Sequence, residues 1–133
     1  SLNRRFGAHK LVLDHLTPLL ARRQPLRLLD LGTGAGDIPR EIILRARRAG
    51  CPVLITAVDR QEPTLVIARK FAADFPEIRF VQDDILTFTE DNPFDVVTCN
   101  LVLHHLEESD AIRLLRRCRE LTRGAALVTD LRR

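Results

Sequence analysis

The nine residues Leu28-Leu29-Asp30-Leu31-Gly32-Thr33-Gly34-Ala35-Gly36 restrict what this chain can fold into more than any other stretch. Before the glycines, Leu26 to Leu31 is a short apolar run interrupted at Arg27; after them, Asp37 to Ala49 places Ile38, Ile42, Ile43 and Ala46 at helical spacing. The segment reads as strand, loop, helix. Glycines tolerate backbone angles that other residues resist, and the missing Cβ lets a ligand lie directly against the main chain. Strand-to-helix turns also use glycine for packing alone, so the loop specifies an α/β unit and leaves its ligand open.

The same alternation continues along the chain. Residues 7 to 22 read as a helical lead-in with Val12, Leu16, Leu19 and Leu20 on one side, and Pro18 is expected to kink or restart it. Gly50 supplies a helix stop. Val53 to Val58 then reads as a second strand, Pro63 to Phe75 as a helix turning Ala68, Phe71, Ala72 and Phe75 inward, and Ile78 to Gln82 as a third strand. Phe94 to Asn100 makes a fourth strand, Asp110 to Leu121 a helix burying Ile112, Leu115 and Cys118, and Ala125 to Thr129 a fifth strand. Strands apolar on both faces and separated by helices indicate a parallel sheet covered on both sides. Right-handed crossovers make that sheet doubly wound. We expect one domain, with residues 1–25 as lead-in and residues 26–133 as the core, and we look for chemistry at the carboxyl ends of the strands, where open α/β sheets bind ligands.

Composition narrows the class. The chain has 133 residues, 45% of them apolar, which is ample for one core, and its 29% charged residues are of mixed sign. No run approaches the roughly 18 apolar residues of a membrane span, so no membrane partner is expected. Lys10 and Lys70 are the only lysines, and the net charge of +3 comes from arginines. Those at 45, 47, 48, 113, 116, 117 and 119 fall on the outer faces of predicted helices, where they read as solvated charge and not as a nucleic-acid footprint. Cys51, Cys99 and Cys118 have neither disulfide-framework nor metal-ligand spacing, which fits a reducing cytoplasm and no metal site. With no methionine and a start at Ser1, the chain is expected to be a piece of a longer protein.

The candidate chemistry lies in four motifs. Asp30 stands two residues before the first glycine, and the loop is spaced GxGxG, whereas a dinucleotide fingerprint requires GxGxxG. Asp59 ends Ile55-Thr56-Ala57-Val58-Asp59, beside Arg60; a carboxylate there can accept two hydrogen bonds from a cis-diol, or serve as a turn former. Asp83 and Asp84 follow Phe80-Val81-Gln82 and precede Ile85, which suits either a polar ligand contact or a solvated acidic turn. Phe94-Asp95-Val96-Val97-Thr98-Cys99-Asn100-Leu101-Val102-Leu103-His104-His105-Leu106 places Asn100 at a strand end and two histidines just beyond it; Asp95, at the strand's start, reads as structural.

Taken together, these motifs resemble those of class I S-adenosylmethionine-dependent methyltransferases acting on small molecules, over nearly the whole chain. The resemblance implies a Rossmann-like sheet in the order 3-2-1-4-5, which the family normally continues with two further strands. It implies that Asp30, Gly32, Thr33, Gly34 and Gly36 hold the methionine part of S-adenosylmethionine, and that Asp59, with Arg60 beside it, holds the ribose. Asp84, or its neighbour Asp83, would accept from the adenine amino group with Ile85 against the ring, and Asn100 would border the methyl group. His104 and His105 are the candidates for moving a proton, although one of them could simply cap or pack the next helix. The expected reaction is methyl transfer to O, C or N of a small molecule with release of S-adenosylhomocysteine. Asn100-Leu101-Val102-Leu103 departs from the Asn-Pro-Pro-aromatic pattern of enzymes that methylate nucleobase amino groups or glutamine, which argues against those substrates. Two alternatives stay open: a nicotinamide-dependent oxidoreductase, and a cofactor-binding module without catalysis. Without the further strands, the fifth strand would be an open sheet edge, so self-association or marginal stability is expected.

Overall fold

A computed structural model describes residues 2–100 and 106–129, with the side chains of residues 2–8, 100 and 129 left aside. Its elements are α1 (Leu2–Ala21), β1 (Leu26–Leu31), α2 (Asp37–Ala49), β2 (Val53–Asp59), α3 (Glu62–Phe71), β3 (Ile78–Gln82), β4 (Phe94–Asn100), α4 (Glu108–Leu121) and β5 (Thr122–Thr129). All five strands are parallel, in the order β3-β2-β1-β4-β5. This is the doubly wound, Rossmann-like sheet expected from the alternation.

Strand periodicity divides the core in two. Leu28 of β1 joins Ile55, Ala57 and Val96 on one face, under Val12, Leu16 and Leu20 of α1 and Ile38, Ile42 and Ile43 of α2. Leu29 and Leu31 point the other way, with Val97 and Cys99, under Leu114, Cys118 and Leu121 of α4. Both faces of the central strands are covered by helices, which explains why β1 and β2 are apolar at most positions. The chain builds outward from β1 to β3 and then returns to β4 on the other side of β1. The order therefore reverses between β1 and β4, and their carboxyl ends flank the crevice where such sheets bind ligands.

Three expectations are corrected. α1 runs through Pro18 without the expected restart; the buried stripe Val12, Leu16 and Leu20 packs it along α2 and outweighs the roughly 3 kcal/mol that an internal proline costs. Phe71 is 60% exposed, because the inward stripe of α3 is Leu65, Ala68 and Ala72; the ring instead lies 5.2 Å from the Arg40 guanidinium. Ile112 and Leu115 are 45% and 44% exposed. α4 carries two apolar stripes, and the helix turns inward the one that holds Leu114, Cys118 and Leu121.

The sheet's amino edge is held by polar contacts that position nothing catalytic. Asp95 accepts from the Arg27 backbone N–H at 2.8 Å and pairs with Arg123 at 3.0 Å. Arg27, the residue that interrupts the first apolar run, pairs with Glu90 at 3.0 Å and covers the Phe94 ring at 4.6 Å.

Candidate active site

The glycine loop begins where β1 runs out. The N–H groups of Gly32 and Thr33 both donate to the Val58 carbonyl, at 2.8 and 3.0 Å, so the chain leaves the sheet while still anchored to β2. Gly32, Gly34 and Gly36 then have φ of 73°, 58° and 80°, all in the left-handed region that side chains disfavour. Glycine at alternate positions spares the loop the strain that a side chain would bring there. Gly34 and Gly36 differ in what surrounds them. A Cβ on Gly36 would come within 3.2 Å of the Phe80 ring, whereas one on Gly34 would meet nothing within 4 Å. Arg40, from the first turns of α2, donates to the Ala35 carbonyl at 2.7 Å and to Asp37 at 2.7 Å, closing the loop onto its helix.

Asp59, at the end of β2, reaches across to this loop. One carboxylate oxygen accepts from the Gly34 N–H at 2.9 Å and the other from the Gln61 N–H at 2.9 Å. Each oxygen has two lone pairs, so both can still accept from a ligand. Asp84, beyond β3, accepts from the Leu86 N–H at 2.9 Å, while its carbonyl accepts from Thr87 and Phe88. Asp83 accepts from the Asp84 N–H at 2.7 Å and so serves the turn.

Gly32, Asp59, Arg60, Gln61, Asp84, Ile85, Leu86 and Leu106 enclose a cleft of about 350 Å³ at the carboxyl ends of the strands. Five sequence-predicted residues, Gly32, Asp59, Arg60, Asp84 and Ile85, thus share one cavity, while Asp30, Thr33, Gly34, Gly36 and Asp83 are absent from its wall. A hollow of about 870 Å³ opens at the opposite, amino edge beside Arg27, Arg47 and Asp95, where open α/β sheets do not bind ligands. Thr33 Oγ is buried without a hydrogen-bond partner. A buried hydroxyl left unmatched is costly, and this one sits within the glycine loop. Asp30 is 2% exposed and accepts from the Thr98 hydroxyl at 2.7 Å.

The backbone of Asn100 ends β4, level with Thr129 of β5. His104 and His105 lie outside the described residues. Cys99 is buried as the sequence suggests and hydrogen-bonds Cys118, holding the Cys118 thiol below its ordinary pKa. Sequence reasoning missed Gln61, Leu86 and Leu106 in the cleft wall and Thr98 beneath it. Gln61 and Leu86 act through backbone N–H groups, which carry no residue signature; Thr98 was visible as a polar residue inside an apolar strand.

A sheet in the order 3-2-1-4-5, with a glycine loop and strand-end carboxylates beside one cleft, defines a Rossmann-like α/β protein. Residues 28–124 match the methyltransferase domain family, and the chain belongs to it. It is 30% identical over 92 residues to malonyl-[acyl-carrier protein] O-methyltransferase of Halalkalibacterium halodurans, covering 66% of this chain and 32% of that protein. It is 38% identical over 95 residues to demethylmenaquinone methyltransferase of Thermus thermophilus, covering 70% and 41%. The chain thus spans about a third to two fifths of these relatives. Magnesium protoporphyrin IX methyltransferase from Synechocystis, solved with S-adenosylmethionine bound, superposes with a TM-score of 0.66 at 20% identity, over 88% of this chain and 56% of that one. At that identity the likeness concerns the fold. Family membership leaves the nicotinamide-dependent alternative without support.

Proposed function

We propose that the chain binds S-adenosylmethionine in the cleft at the carboxyl ends of β1, β2 and β3 and transfers its methyl group to a small molecule. The observation that carries this reading is the convergence of Gly32, Asp59, Arg60, Asp84 and Ile85 on one cleft in a chain of the methyltransferase domain family. The residues fit the cofactor on three counts. Asp59 keeps lone pairs for a ribose diol; there is open space over Gly34; and the Thr33 hydroxyl is buried with no protein partner.

When bound, S-adenosylmethionine supplies a methyl group already activated by its sulfonium. The chain's own work is therefore positioning, which can supply roughly 7–11 kcal/mol of a reaction barrier. Asp30, Thr33, Gly34 and Gly36 would hold the amino-acid end, Asp59 the ribose hydroxyls with Arg60 beside them, and Asp84 the adenine amino group, with Ile85 against the ring. Asp83 follows Asp84 in rank because Asp84 lines the cleft and Asp83 does not. Asn100 would border the methyl group, and His104 or His105 would take a proton from an acceptor that must lose one. The two relatives are named for malonyl-[acyl-carrier protein] and demethylmenaquinone, which supports an organic acceptor that takes the methyl group on O, C or N.

Calorimetric titration with S-adenosylhomocysteine and with NAD, on wild type and Asp59→Ala, tests the reading. Wild type should bind the former alone. The substitution should weaken binding by about 3 kcal/mol, on the order of a hundred-fold, through the loss of two charge-assisted hydrogen bonds. Binding of NAD alone would overturn the assignment, and unchanged affinity in the mutant would remove Asp59 from the ribose.

A second copy of the chain is a further proposed partner, through the edge of β5. No helix among the described residues is long and apolar enough to cross a membrane, and the three cysteines are buried thiols outside any disulfide, which supports a reducing, cytoplasmic setting.

A further inference from the structure

β4 is apolar along most of its length, yet one of its most buried side chains is a threonine. Thr98 is fully buried and pairs in register with Asp30, across the β1–β4 junction where the strand order reverses. Its Oγ lies 2.7 Å from Asp30 Oδ1 and 3.4 Å from the Leu29 carbonyl. A hydroxyl has one proton, and the shorter contact, to the group that can be charged, takes it. Packing alone does not require the hydroxyl, since valine has the same branched shape and stands at positions 96 and 97 of this strand. What the hydroxyl adds is a donor for a carboxylate that is itself buried, and a buried carboxylate is costly unless hydrogen-bonded. The donor comes from a different strand than the acceptor. It therefore ties the orientation of Asp30 to the position of β4, whose next two residues reach the carboxyl edge at Asn100.

We propose that Thr98 is a positioning residue: through its hydroxyl it sets the rotamer of the Asp30 carboxylate at the entrance to the glycine loop, and so tunes the affinity of that loop for the amino-acid end of the methyl donor. The second half of this statement rests on the reading that Asp30 serves S-adenosylmethionine. A group that meets a ligand must be held by its own neighbours in the productive geometry. Thr98 is one such neighbour for Asp30, and it is not among the residues that line the cleft.

The experiment uses the full 133-residue chain as wild type, Thr98→Val, Thr98→Ala and Thr98→Ser. The carboxyl-carbon chemical shift of Asp30 at constant pH, without ligand, reads the hydrogen bond directly. S-adenosylhomocysteine affinity by calorimetry reads its consequence, and thermal unfolding runs beside both. The Asp30 resonance should move in Thr98→Val and Thr98→Ala and return in Thr98→Ser. Affinity should fall about ten-fold in the first two and be restored to within about two-fold in the third. An Asp30 resonance that stays in place in both hydroxyl-free variants overturns the positioning role, whatever the ligand data show. A moved resonance with wild-type affinity overturns the link to the donor. Equal loss in Thr98→Ser and Thr98→Val, tracking stability, reduces Thr98 to a packing role and sinks the proposal. Should wild type bind no S-adenosylhomocysteine, the functional reading fails while the resonance still decides the positioning role.

Discussion

At the scale of single residues, two glycines in one loop do different work. Gly34 and Gly36 share the left-handed conformation, so an alanine at either costs about 1–2 kcal/mol in backbone strain. At Gly36 the new methyl also meets the Phe80 ring at 3.2 Å, whereas at Gly34 it enters open space. Gly36→Ala should therefore be the less stable variant, by about 1 kcal/mol or more beyond Gly34→Ala, since overpacking adds to strain. Gly34→Ala should instead lose S-adenosylhomocysteine affinity beyond its stability cost, because its methyl enters open space that the proposed cofactor would fill. Urea unfolding and calorimetry on the pair separate the two effects; equal stabilities would refute the packing argument, and full affinity in Gly34→Ala would refute the ligand one. The GxGxG spacing was legible in the sequence. That one glycine answers to a phenylalanine on β3 while another faces open space was not, because the neighbours come from distant parts of the chain.

At the scale of elements, β5 is the strand read least completely. Only Ala125 to Thr129 is recognisably extended, yet β5 runs from Thr122. It begins with a bulge: Phe94 pairs with Thr122 and Val96 with Ala125, so three steps on β5 match two on β4. Gly124 lies inside that irregularity, where an added Cβ would stand 2.2 Å from the Asp95 carbonyl oxygen. Backbone cannot yield as a side chain can, so Gly124→Ala must shift the β4–β5 register. We expect a loss of about 3 kcal/mol or more, seen in chemical denaturation together with faster amide exchange across β5. A variant within about 0.5 kcal/mol of wild type would show that the close approach is relieved locally. The helices teach the complementary lesson. The inward face of α2 was read correctly because Ile38, Ile42, Ile43 and Ala46 make its one apolar stripe. α4 offered two, and only contact with Phe94 and Val97 selects between them.

For the molecule as a whole, the two sheet edges are unequal. β3 is five residues long and carries Arg79, whereas β5 is eight residues long with four consecutive apolar residues, Ala125 to Val128, and no charge after Arg123. Short or charged edges resist pairing, and long apolar ones invite it. The chain should therefore self-associate through β5. Sedimentation velocity across a hundred-fold range of about 1 to 100 μM should show a rising mass that an Ala126→Lys substitution suppresses; a concentration-independent monomer would contradict the proposal.

The parallel sheet, its strand-loop-helix opening and the carboxylates Asp30, Asp59 and Asp84 were all readable in linear order. They depend on local signals, namely periodicity, glycine spacing and strand ends, and the alternation of strands and helices permits few topologies. The face that α4 buries, the exposure of Phe71 and the Thr98 hydroxyl against Asp30 depend on residues far apart in the chain. No local pattern encodes such pairings, and they exist only once the sheet has brought its strands side by side.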